Sequence, residues 1–193
     1  PPHLGHNPNR KEPEPMSEYT TAAQDAATIR KRIKSELGYG PKQVSVRCSN
    51  YSMGSSVKVT IKAGGLDCAK IRSIALLAEH IDRCQVTGEI LSGGNRYVHC
   101  RLDWELVAAL ADKLQPGIEK ALKDLEPGAG YLCQDSQYPG TAAEVWSCTS
   151  SGKPRVARWP NDPNGLTSRE VYDAGGAAQL AAHLILDSSA EVN

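Results

Sequence analysis

The chain has 193 residues, and its 22 Lys+Arg balance 22 Asp+Glu for a formal net charge of +0. That length suits one domain with appendages or two small ones, and the charge balance argues against both a highly acidic DNA mimic and a strongly basic chromatin-type protein. Hydrophobic residues make up 40% but aromatics only 5%, with no Phe, so the core has to be built from Leu, Ile, Val and Ala with a few Tyr and Trp.

Residues 1–18 read as a disordered arm, with five prolines, few apolar residues and no periodicity. The text PPHLGHNPNRKEPEP holds no hydrophobic signal-peptide core, and Met16 is a candidate start within it. Nowhere does an apolar run approach the roughly 18 residues that span a bilayer, so no membrane association is expected. Thr20 or Thr21 can cap a helix from about Ala22 to Leu37, ended by Gly38 and Gly40-Pro41. Its apolar positions Ala22, Ala26, Ile29, Ile33 and Leu37 recur at three and four, which gives one buried stripe and leaves most basic residues outside it.

Two strands are expected next, Gln43 to Ser49 and Ser56 to Lys62. Val44 and Val46, then Val57, Val59 and Ile61, alternate with polar residues, the mark of antiparallel strands with one wet face. Arg47, Lys58 and Lys62 then point away from the core. The connection SNYSMGSS has turn chemistry, with Gly54 free to take a positive φ. After Gly64-Gly65, Asp67 caps a predicted helix over Cys68–Ile81. A second hairpin is expected from Gln85–Leu91 and Arg96–Trp104 across Ser92-Gly93-Gly94-Asn95, then a helix over Glu105–Leu125 that Pro116 can kink or split.

The order helix-β-β-helix-β-β-helix with antiparallel strands predicts an α+β fold, a two-layer domain over residues 19–126. Residues 127–193 then form a small C-terminal α/β extension. In it Ala143–Thr149 and Arg155–Trp159 can pair as a hairpin. Thr167 or Ser168 caps a last helical stretch, interrupted at Gly175-Gly176 and reaching about Leu186. Its AAQLAAHLIL is apolar nearly all round and needs something to pack on, either the first domain or a second subunit in a homodimer.

The six cysteines include no CxxC, and no two lie closer than fifteen residues, so a structural zinc site is not expected. Most are expected to be buried free thiols in a reducing compartment. His99 and Cys100 would face opposite sides of a strand, so they cannot form one nucleophile–base unit. HExxH, GxSxG and GxxxxGK[ST] patterns are missing, and no catalytic residue, metal or cofactor is assigned. Asp103 and Glu105 flank Trp104 and would share a face, a carboxylate pair that reads as helix capping or as acid–base chemistry. A pocket joining Arg47, Tyr51 and the Asp103/Glu105 region would be where an enzyme's site should lie.

Charge is unevenly spread. From Ile29 to Lys62 eight Lys or Arg side chains face a single acid, Glu36. Arg30, Lys31 and Lys34 on the helix could lie along a phosphate backbone. Around the hairpin the hydroxyls of Ser52, Ser55 and Ser56 could cradle a phosphate beside Arg47 and Lys58, with Tyr51 stacking on a base. The competing reading is a solvated helix face and a plain turn, where Ser, Asn and Gly serve local backbone geometry.

The text IRKRIKSEL followed by VSVRCSNYSMGSSVKV resembles the large polyvalent-protein-associated domains of phages and conjugative elements. Ser45, Val46, Arg47, Tyr51, Gly54, Ser55 and Ser56 carry the likeness, which extends faintly over residues 29–104. The resemblance implies a mobile-element setting in the cytoplasm of a bacterial host and implies no particular reaction. The expected function is thus a non-enzymatic accessory protein binding nucleic acid or another anionic surface through the first helix and hairpin. The alternative is a protein–protein inhibitor of a host defence factor, of antirestriction or anti-CRISPR type.

Overall fold

A computed structural model describes residues 20–91, 93–124, 126, 129–138, 142–147, 153–159, 169–171 and 173–188. The arm expected over residues 1–18 lies outside them. Helix α1 spans Ala22–Leu37. Thr21 is its N-cap, in a reciprocal capping box with Gln24, and Gly38 closes it at φ 75 with its N–H donated to the Lys34 carbonyl. The stripe Ala22, Ala26, Ile29 and Ile33 is buried, and each isoleucine so covered contributes about 1.5–3 kcal/mol.

Strands β1 (Val44–Tyr51) and β2 (Gly54–Ile61) form an antiparallel hairpin in the register Val46↔Val59, Arg47↔Lys58. The strands run further toward the tip than the alternation suggests, so Gly54 and Ser55 join the expected Ser56 in β2 and only Ser52-Met53 turn. Gly54 takes φ 154, and a Cβ there would sit 2.4 Å from the Asn95 carbonyl oxygen. Only glycine fits that approach.

Helix α2 (Cys68–Leu76), capped by Asp67, stops a turn earlier than expected. It leads through a loop to β3 (Asn95–Leu102), which pairs parallel with β2. This corrects the expected second hairpin. Residues 82–91 bond among themselves instead, Leu91 N–H to Asp82 O at 2.8 Å and Cys84 N–H to Glu89 O at 2.8 Å. Buried Asn95 ties that loop down, accepting from Asp82 N at 2.8 Å and donating to Leu91 O at 2.6 Å. With residues 82–91 bonded locally, the connection pairs its backbone with β3 only through the antiparallel bridge of His80 with Arg96 among the described residues. The α2 crossover brings β3 alongside β2 with both chains running the same way. The class is α+β as expected, in the order helix-β-β-helix-β-helix, with a mixed sheet β1-β2-β3.

Helix α3 (Trp104–Asp124) passes through Pro116 without splitting. Pro116 lies on the exposed side, where water can satisfy the carbonyl it leaves free. A second sheet follows: β4 (Gly130–Cys133), β5 (Ala142–Ser147), β6 (Pro154–Trp159) and β7 (Arg169–Glu170), antiparallel and in chain order. The expected pairing of β5 with β6 is present; β4 and β7 were not foreseen. Helix α4 (Ala174–Ser188) contains Gly175-Gly176 in its first turn, where a break was expected. The Asp173 carboxylate accepts from Gly176 N at 2.7 Å and secures that turn. The alternative caps Thr167 and Ser168 lie outside the described residues.

Helices α1 and α2 cover the inner face of the first sheet, while α3 and α4 pack on each other and on the second. One continuous buried cluster runs through both. Ala177, Ala178, Ala181, Ala182, Ile185 and Leu186 of α4 are wholly buried in it. Arg72 of α2 grips Asp187 of α4 in a two-pronged ion pair, with Nη1–Oδ2 at 3.1 Å and Nη2–Oδ1 at 2.5 Å. Among the described residues no helix is long and apolar enough to cross a membrane.

Candidate nucleic-acid interface

Strand alternation sorts the first sheet into two faces. Val44, Val46, Val57, Val59, Ile61, Val98 and Leu102 go inward to α1 and α2. The odd positions of β1, the even positions of β2 and the odd positions of β3 go outward, and register sets them in rows. One row is Arg47, Lys58 and His99; the next is Ser45, Thr60 and Arg101; a third is Ser49, Ser56 and Tyr97. Successive rows lie about 6.6 Å apart along the strands and neighbours within a row about 5 Å.

This outer face floors a groove of about 950 Å³. Arg47, Lys58, Lys62 and Arg101 supply its cations, and Asp103, Trp104 and Glu105 line the end where β3 leaves the sheet, with Lys62 level with Asp103. Gln179 and His183, one turn apart on α4, form part of its wall. Among the described residues none of the four cations is in an ion pair or a hydrogen bond. Arg47 faces Lys58 directly across the hairpin, an arrangement of like charges that destabilises a sheet. Asp103 is used structurally, since its carboxylate accepts from Glu105 N at 3.2 Å and starts α3. Trp104 follows it and is 73% exposed.

The residues singled out from the sequence are thereby divided. Arg47 and Lys58 stand together in the groove, joined by the Asp103/Glu105 pair, whereas Tyr51 is not among the residues lining it. Tyr51 is exposed near the hairpin tip, its hydroxyl donated to Ser55 O at 3.2 Å. Ser56 shares a 2.8 Å hydrogen bond with Ser49, and Ser52 sits in the turn. The three serines therefore do not converge on one point. On α1, Lys31 and Lys34 are exposed, but the helix lies under the inner face of the sheet. Arg30 reaches the edge of β1 and donates to the Val46 carbonyl from Nε at 3.2 Å and Nη2 at 2.6 Å. It satisfies an edge-strand acceptor.

Arg101, Trp104, Gln179 and His183 were missed. The alternation HCR in β3 was the one available signal for Arg101, and it needed the knowledge that β3 lies beside β2. Among the described residues no group of three or more His, Cys, Asp or Glu is placed to hold a metal ion. The five described cysteines are free thiols. Burial pushes Cys68 and Cys133 up to about 12 and Cys100 to about 11, so all three stay protonated near neutral pH. Contrary to expectation Cys48 is exposed, because β1 outruns the helices at the hairpin end. Comparison of the chain with protein-family models, with curated proteins and with solved structures returned no match.

Proposed function

We propose that the outer face of the first sheet binds nucleic acid, and that the protein acts as a non-enzymatic accessory factor. The observation that carries this reading is the set of four cations, unpaired among the described residues, on one groove floor, two of them directly opposed. Mutual repulsion makes that arrangement costly in the free protein, and a polyanion laid over it removes the cost. The interface is accordingly the hairpin with β3 and the start of α3, and the cations of α1 fall outside it. A mobile-element setting in a bacterial host rests on the sequence resemblance alone.

Salt response tests the reading. Four phosphate contacts to a single strand give a slope of about −2.8 in log K against log salt, so raising salt from about 50 to 200 mM weakens binding about 50-fold. Arg47→Ala/Lys58→Ala should halve the slope, leaving about a 7-fold loss over the same range. Failure of the wild-type protein to bind DNA or RNA at low salt would end the proposal.

A second reading, contact with a host protein, draws on Leu76, Val86, Ile90 and Leu91, which are exposed around the α2–β3 loop, Val86 at 93%. Affinity for a purified partner that stays flat with salt and falls on Val86→Asp would carry that reading instead.

A further inference from the structure

The end of the groove where β3 leaves the sheet has a chemistry that the cation rows do not use. Trp104 is the largest apolar side chain lining it and is 73% exposed at the first residue of α3. An indole left that open forgoes the burial that would otherwise stabilise it. Asp103 and Glu105 beside it repel a phosphate, so a bound polymer cannot lay its backbone there. Arg47, Lys58 and Arg101 lie further along the strands, while Lys62 stands level with Asp103, because Ile61 pairs with Leu102. The three strand cations offer a place for the backbone and the indole a place for a base.

We infer that the groove takes single-stranded nucleic acid in preference to duplex, with the backbone on Arg47, Lys58 and Arg101 and an unpaired base stacked on Trp104. This rests on the nucleic-acid reading above and narrows its ligand. A base inside a duplex has both faces covered by its neighbours and can offer neither to an indole; a base in a single strand can turn out and stack. The size of the groove is compatible with this. About 950 Å³ between the sheet and α4 is the scale of a small-molecule cleft, enough for a few splayed nucleotides.

The full chain should be titrated by fluorescence anisotropy with a labelled 15-residue dT strand, the matching rU strand and a 15-base-pair duplex at about 50 mM salt, a concentration at which phosphate contacts still register. The expected result is single-strand affinity at least about tenfold above duplex, with quenching of indole emission only by the single strands. Trp104→Ala should weaken single-strand binding about 5- to 150-fold, leave duplex affinity unchanged and keep the salt slope, because no phosphate contact is lost. Trp104→Phe should recover most of the loss. Relative affinity for dT against rU distinguishes a DNA from an RNA ligand. Equal or tighter duplex binding, or a Trp104→Ala protein that binds the single strand as the wild type does, would overturn the inference while the nucleic-acid reading stands. Should neither strand nor duplex bind the wild-type protein, that broader reading fails and this one with it.

Discussion

Replacing Asp25 with Asn tests the ionic link that holds α1 to β3. Asp25 is wholly buried and Arg96 is 8% exposed, and the two are paired between Oδ2 and Nη1. Thr20 completes the knot: its hydroxyl donates to Asp25 Oδ1 at 2.6 Å, and Arg96 donates to both its hydroxyl and its carbonyl. Without the carboxylate, a guanidinium with almost no access to water keeps only those neutral acceptors. Breaking one side of a buried pair costs about 3–5 kcal/mol, because the remaining charge is left uncompensated. With a urea m-value of about 2 kcal/mol/M, the midpoint should fall by about 2 M. Arg96→Met should cost a similar amount by stranding the carboxylate. The double variant Asp25→Leu/Arg96→Met removes both charges and should lose far less than the sum of the single losses. Urea titration followed by far-UV circular dichroism reads all the variants. A loss below about 1 kcal/mol for Asp25→Asn, or a double variant whose loss equals that sum, would refute the argument.

Two further outcomes follow from local geometry. Gly54→Ala should cost about 2–4 kcal/mol, since a side chain is strained at its φ and also meets the Asn95 backbone; a urea midpoint within error of the wild type would contradict that. The hydroxyl of Thr87 and the amides of Thr87 and Val86 hold the Cys84 thiol below its ordinary range, favouring the thiolate. Alkylation of Cys84 followed by mass spectrometry should therefore rise through a midpoint below that of an unperturbed cysteine thiol, while Cys68, Cys100 and Cys133 stay unlabelled in the folded protein at pH 8. A Cys84 profile centred above that value would count against those hydrogen bonds.

Some of this was legible in the chain and some was not, for physical reasons that differ by element. The boundaries of α1 could be read because the stripe and both caps are local: Thr21 with Gln24, and Gly38 in its left-handed turn. The hairpin could be read because valines alternate on both strands. The partner of β3 could not, since Arg96-Tyr97-Val98-His99 alternates identically whether it pairs with a neighbour before it or with β2. Ser92-Gly93-Gly94-Asn95 resembles a hairpin turn, and Gly93 and Gly94 do take positive φ. What decides the pairing is Asn95, whose side chain satisfies the loop that would have been the other strand. In α4, apolar residues on most sides announced that the helix had to be covered, and it is buried against α3 and the second sheet. The groove was legible only in part: Arg47 was expected beside Asp103 and Glu105, but the shares of β3 and α4 could not be read, because they depend on how distant elements pack.

That division of the basic residues yields the sharpest test of where a polyanion binds. The sequence places Arg30, Lys31 and Lys34 close to Arg47 and Lys58, and a neutral chain with one basic stretch invites the idea of a single surface. The sheet stands between them. Ile29 and Ile33 point α1 into the inner face, while Arg47 and Lys58 rise from the outer one, and Arg30 is occupied by the Val46 carbonyl at the edge. A ligand on the groove floor lies across the sheet from Lys31 and Lys34, and at 0.15 M salt screening over about 8 Å leaves those two exposed charges little influence. Lys31→Ala/Lys34→Ala should thus change affinity less than about twofold and leave the salt slope intact, whereas Arg47→Ala/Lys58→Ala should lower the slope by about 1.4. Both variants remove two positive charges, so net charge alone cannot separate them and only position can. If the lysine pair lowered the slope by as much as the hairpin pair, the interface would have to wrap the β1 edge, and the outer face alone would not be the site.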